Sequence, residues 1–181
     1  MTSYTYKQCT RDDEPAIVDF LMSVKHELYL PDRDAIKQMM TMIFKQGGVV
    51  GAFCGGELVG MMGFFYGEPG QSYHNKNVVF LYVAAIDPAF RLSRLFHQGL
   101  RFALQEFEKM GKREIRLQAE AANPYTNKLY GRFAAFLYAS KSLRGVPVNT
   151  YGGPIDTALN RLDLRRRQRT AAQTQALAIP A

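Results

Sequence analysis

The chain has 181 residues, 47% of them apolar and 22% charged, which fits one domain with a sizeable core and excludes a disordered polymer. Its formal net charge of +7, from 23 basic and 16 acidic residues, suits a polyanionic cofactor as well as nucleic acid. The most apolar long stretch, Val49 to Tyr66, is broken by Cys54-Gly55-Gly56-Glu57, which excludes a membrane span, and two cysteines with scattered His26, His74 and His97 match neither metal nor disulfide spacing.

The N-terminal MTSYTYKQCTRDDEP has no signal-peptide apolar run, so an intracellular, cytoplasmic protein is expected. Tyr4 to Cys9 alternates loosely and reads as a short strand. Thr10 offers an N-cap, with Asp12, Asp13 and Glu14 in the first turn and Pro15 behind them. Ile17, Phe20, Leu21, Val24 and Leu28 then recur at helical spacing. Asp32 or Asp34 starts a second helix carrying Ile36, Met39, Met40 and Ile43. It is expected to end at Gln46-Gly47-Gly48 in a left-handed glycine turn.

Two strands follow, Val49 to Phe53 and Leu58 to Tyr66, joined as a hairpin by the Gly-Gly turn. Residues 67–76, GEPGQSYHNK, form a polar loop. Val78 to Ile86, VVFLYVAAI, has the length and composition of a strand buried on both faces. A helix is predicted from about Ser93 to Met110, with Leu100, Ala103, Leu104 and Phe107 on one side. Gly111 closes it and Ile115 to Ala121 is another strand. Strand, amphipathic helix, strand is a βαβ unit, so Val78–Ile86 and Ile115–Ala121 are expected to run parallel. A helix from roughly Pro124 to Ala135 leads into one or two short strands between Leu137 and Tyr151. The basic remainder carries Arg161, Arg165, Arg166, Arg167 and Arg169 and reads as a fraying helix.

The order β, α, α, β, β, β, α, β, α, β over residues 4 to 151 resembles the GNAT superfamily of acyl-CoA-dependent N-acyltransferases. Two stretches carry the likeness. Ile86-Asp87-Pro88-Ala89-Phe90-Arg91 matches the end of the family's fourth strand. Asn123-Pro124-Tyr125-Thr126-Asn127-Lys128-Leu129-Tyr130 follows its Asn-x-x-Ala-x-x-Leu-Tyr pattern at Asn123, Leu129 and Tyr130, with Ala134 in place of a later glycine. The resemblance implies an α/β fold with a mixed central sheet of 6–7 strands and about four helices over residues 1–151, followed by a basic extension over 152–181.

It further implies acetyl-CoA, or another acyl-CoA, as co-substrate and an amine of a small molecule or a protein as acceptor. The acyl group would pass directly in a ternary complex, without a metal. Ile86, Arg91, Leu92, Ser93, Arg94, Leu95, Phe96, Asn123 and Tyr130 then hold the cofactor. Tyr130 is the general acid for the departing thiolate and Glu120 the nearest candidate base, with Tyr82 or a water chain as another route. For Glu120, a solvent-facing strand residue is the competing interpretation. Neither Cys9 nor Cys54 suggests a covalent nucleophile. A homodimer is compatible with all of this.

The departure lies in the phosphate turn. Arg91-Leu92-Ser93-Arg94-Leu95-Phe96 lacks the family's glycines, which normally let backbone amides approach a pyrophosphate closely. Arg91 and Arg94 offer charge-assisted hydrogen bonds instead. Phe96 is expected to crowd the phosphates unless its ring turns into the core. The rival function is a binding or assembly module that has lost catalysis and docks through the arginines of 161–169, on nucleic acid or a larger complex.

Overall fold

The computed structural model describes residues 3–91, 94–142 and 145–163. β1 (Tyr4–Cys9) leads through a 3-10 turn into α1 (Glu14–Ser23) and α2 (Arg33–Gln46), then into β2 (Gly47–Cys54), β3 (Glu57–Tyr66) and β4 (Val78–Ile86). α3 (Leu95–Lys109), β5 (Glu114–Glu120), α4 (Pro124–Tyr130), β6 (Ala135–Lys141) and β7 (Pro147–Pro154) follow, and a fifth helix, α5, spans residues 155–163. The seven strands form one sheet in the order β1-β2-β3-β4-β5-β7-β6, in which β4 and β5 are the parallel pair.

The two faces of the sheet bury different helices. Ile17 and Leu21 of α1 and Ile36, Met40 and Ile43 of α2 pack on Val49, Met61, Phe65 and Phe80. On the other face Leu100, Leu104 and Phe107 of α3 pack on Phe64, Val79, Leu81, Ile115 and Leu117. β5 alternates cleanly, with Ile115, Leu117 and Ala119 buried toward α3 and the residues between them half-exposed.

Several boundaries differ from the sequence expectation, each for a local reason. α1 stops at Ser23, where the Ser23 hydroxyl donates to the Phe20 carbonyl at 2.7 Å, although Val24 and Leu28 still join the core cluster of α1. α4 ends at Tyr130, because Phe133 and Ala134 fold back to donate to the Tyr130 carbonyl and become buried. The expected boundary at residue 151 falls inside the packed unit. Residues 152–154 complete β7, and Ile155, Ala158, Leu159 and Leu162 insert into the α3-side core at helical spacing. Arg161 is exposed on α5, whereas Arg165, Arg166, Arg167 and Arg169 lie outside the described residues.

The end of α2 is a further correction. Gly47 has φ −163°, extended rather than left-handed, and the chain passes from helix to strand without a loop. Glycine is required there by proximity: an added Cβ would lie 1.8 Å from the Phe64 carbonyl oxygen of the paired strand. At Gly48 the nearest atom, at 2.9 Å, is the tip of the Phe64 ring, a side-chain contact rather than a backbone one. Gly47→Ala is therefore expected to cost about 3 kcal/mol and Gly48→Ala about 1 kcal/mol, read as the difference in urea unfolding midpoints. Equal losses would contradict the backbone clash. The Gly55-Gly56 turn, by contrast, does use positive φ, +59° and +88°, as a tight hairpin demands.

Candidate active site at the divided strands

β4 and β5 pair only from Val78↔Glu114 to Leu81↔Leu117. Beyond that point β4 stays with β3 as far as Ile86 and β5 stays with β7 as far as Glu120, so a slot opens between them. The parting precedes the strand ends at Ile86 and Glu120. It begins earlier because of a β-bulge: Phe64 pairs with Leu81 and Gly63 with Val83, leaving Tyr82 without a partner. Tyr82 and Val83 both turn to the α1–α2 side, and the extra residue bends β4 away from β5.

The backbone at the end of β5 faces the slot. Ala121 donates to Pro147 at 2.9 Å, so residues 119 and 121 form the bonded pairs with β7 and the N–H and C=O of Glu120 point the other way. The Glu120 side chain is half-buried on the sheet face opposite α3, beside Gln118, whose amide donates to Thr150 at 3.3 Å.

α4 leaves β5 immediately. Asn123 caps it, its Oδ1 accepting from Thr126 N at 3.0 Å. Tyr130, at its last position, stacks on Phe96 at the start of α3 with ring centroids 6.5 Å apart and 23° between planes. Phe133 and Tyr151 meet Tyr130 edge-on at 6.0 and 6.2 Å. The ring contact joins the two helices that follow the two parted strands. Burial pushes the Tyr130 hydroxyl up to about 12, so at neutral pH it holds its proton and is a donor.

The same burial carries a stability consequence. The folded value lies above the usual 10.0, so between pH 10 and about 12 the unfolded chain ionises Tyr130 while the folded chain cannot. Stability from this group is complete below pH 10 and is lost as pH rises through that window. Urea midpoints at pH 9 and pH 11 are expected to differ less in Tyr130→Phe than in the parent.

The glycine-free turn is now legible in part. The Phe96 ring packs against the α3-side core and Tyr130, the inward direction required for it not to crowd a phosphate. Leu95 is buried against Ala52 and Val59, so its side chain serves packing, and Ile86 lies at the edge of that same cluster. Arg94 is exposed in the residue before α3, and its side chain does not cap the helix. Arg91 is ion-paired with Glu27 of the α1–α2 connection. Leu92 and Ser93 lie outside the described residues. An open strand edge suits an extended chain that carries amide groups, and an exposed arginine at a helix start suits a phosphate.

Sequence reasoning passed over Asn127, whose side chain is anchored to Glu120, Asn123, Asn149 and Tyr151. The available signal was a poor helix former in the middle of a seven-residue helix. Cys9 is half-buried with its thiol pushed up to about 11, chiefly by burial and then by Asp13, which keeps it protonated and unreactive.

Known proteins give the same picture. The structure is similar to a GNAT-family acetyltransferase from Streptococcus pneumoniae, with TM-score 0.65 and 15% identity over 84% of this chain and 99% of that one. It is similar to the RimL ribosomal L7/L12 alpha-N-protein acetyltransferase in complex with coenzyme A, with TM-score 0.66 and 17% identity over 87% and 97%. The ribosomal-protein-S18-alanine N-acetyltransferase from Escherichia coli gives TM-score 0.61 and 16% identity over 84% and 94%. At such identities the likeness is one of fold. No curated protein sequence matches the chain. The model of the Acetyltransferase (GNAT) family matches residues 15–136, from α1 through the parted strands and α4 into β6. With well over half its length inside that match, the chain belongs to the GNAT acetyltransferase family.

Proposed function

We propose that the protein transfers an acetyl group from acetyl-CoA to a primary amine, by direct attack in a ternary complex. The observation that carries this is the early parting of β4 and β5 at the Tyr82 bulge, with a protonated tyrosine at the end of the following helix. The pantetheine arm lies along the open strand edge, and acetyl-CoA supplies the thioester that is cleaved. Arg94 and the turn amides from Leu92 to Phe96 hold the pyrophosphate, and Arg91 joins them by leaving Glu27. Exchange of one exposed ion pair for another costs little, on the order of 1 kcal/mol or less.

In the chemical step the amine nitrogen forms a bond to the thioester carbonyl carbon and the C–S bond breaks. The Tyr130 hydroxyl gives its proton to the departing sulfur, and the Glu120 carboxylate, directly or through water, takes the proton the amine nitrogen loses. Two of the similar enzymes are by name acetyltransferases of ribosomal proteins, which supports a protein amine alongside a small-molecule amine as acceptor.

The test is calorimetric titration with acetyl-CoA, followed by a thiol-release assay over a panel of peptide N-termini, lysine peptides, polyamines and amino acids. Micromolar binding with turnover on one class supports the proposal. No binding at millimolar acetyl-CoA, weaker than about −4 kcal/mol, overturns it in favour of a non-catalytic module that docks through its basic arm.

A further inference from the structure

α4 presents a physical problem that its sequence does not solve. It is seven residues long, none of its side chains is fully buried, and yet it ends on Tyr130, the group proposed to protonate the leaving thiolate. A helix this short has little intrinsic stability, and its half-buried Leu129 and Tyr130 supply only partial packing. Something else must fix where it sits.

We propose that Asn127 is the positioning residue for Tyr130 and the clamp that closes the β5 side of the slot. Its side-chain amide nitrogen donates to the Glu120 carbonyl at 2.8 Å and to the Asn123 carbonyl at 2.7 Å. Its side-chain oxygen accepts from Asn149 Nδ2 at 2.8 Å and from the Tyr151 hydroxyl at 2.9 Å. Both donors and both lone pairs of the amide are thus engaged. Carbonyl oxygens only accept, so the amide nitrogen must face Glu120 and Asn123, and the orientation of the group is fixed by chemistry.

These four bonds join three elements at one point. Glu120 ends β5, and its carbonyl points toward the slot, where a parallel partner strand would otherwise have donated to it. Asn127 and the Asn123 N–H, at 2.9 Å, satisfy that carbonyl instead and leave the strands parted without an orphaned acceptor. Asn149 and Tyr151 lie on β7, and the Tyr151 ring whose hydroxyl Asn127 holds is the one that meets Tyr130 edge-on. Asn127 therefore sets both the height of α4 above β5 and one wall of the Tyr130 environment. Asn127 itself does not touch the reacting atoms.

The inference rests on the acetyltransferase reading for its catalytic consequence but not for its anchoring, and the test separates the two. Hydrogen exchange of the full chain is compared for the parent, Asn127→Ala and Asn127→Asp. Exchange is expected to rise at least tenfold in residues 120–130 and to stay unchanged in α3 and β2. Asp keeps the shape but turns carboxylate oxygens toward two carbonyls, so it is expected to fail as Ala does; protection retained in Asp, or in Ala, overturns the clamp. In the second arm, kcat and the KM for acetyl-CoA are measured for Asn127→Ala, Tyr130→Phe and the double variant. Asn127→Ala is expected to lower kcat at least tenfold with KM within threefold, and to lower it no further in the Tyr130→Phe background. Full additivity in the double variant would overturn positioning through Tyr130. If Tyr130→Phe alone leaves kcat unchanged, the general-acid assignment fails, and the exchange arm still decides whether Asn127 holds α4.

Discussion

Tyr130→Phe is expected to lower kcat for acetyl transfer about 100-fold while the KM for acetyl-CoA stays within about threefold, the lower end of what a general acid contributes. The expectation follows from where the hydroxyl sits. It lies at the end of α4, ringed by Phe96, Phe133 and Tyr151, and burial holds its proton up to about 12. A thiolate leaving beside those rings is poorly solvated, so a proton delivered in the transition state counts for more than it would in solvent. Phenylalanine keeps the three ring contacts and removes only the proton. The ground state of bound acetyl-CoA, which has no charge on sulfur, gains nothing from that proton, hence the split between kcat and KM. The measurement is steady-state kinetics with saturating amine. A raised KM with kcat unchanged would mean that Tyr130 serves binding, and no change in either constant would move the acid to water.

How far the sequence foretold this depends on whether local pattern or pairing decided the outcome. Helical period placed Leu100, Ala103, Leu104 and Phe107 on one face of α3, and all four are buried there. The parallel relation of β4 and β5 followed from the intervening helix and is observed. The depth of the slot did not follow, because the bulge at Tyr82 depends on the register of β4 against β3, which no single strand encodes. Gly47 looked like a helix terminator because glycine often is one. The neighbour that demands it, the Phe64 carbonyl, is 17 residues away in sequence and adjacent only in the sheet. Phe96 looked obstructive in a phosphate turn, since its inward direction depends on Tyr130 being on the far helix. Asn127 stayed hidden for the same reason: all of its value lies in partners drawn from three elements.

Phe107→Ala is expected to lower unfolding free energy by about 4 kcal/mol, within the range for removing a buried aromatic side chain. Phe107 is fully buried on α3 and meets Phe64 of β3 edge-to-face at 4.7 Å. Phe64 is itself the ring beneath Gly48 and the owner of the carbonyl against Gly47, so little room exists for the neighbours to collapse into the space. The loss should appear as a shifted urea midpoint with little change in slope. The N-terminal end of the same helix is held separately. Leu95 anchors the first turn of α3 in a cluster with Ala52 and Val59, apart from the one that contains Phe107. Acetyl-CoA binding by the folded fraction of Phe107→Ala is accordingly expected to stay within about threefold of the parent, measured at low denaturant and low temperature. If affinity falls in step with stability, the two ends of α3 act as one unit and the phosphate turn is set by the whole core. If affinity holds, the turn is set by Leu95 and the parted strands alone, which is how a glycine-free turn would be tolerated.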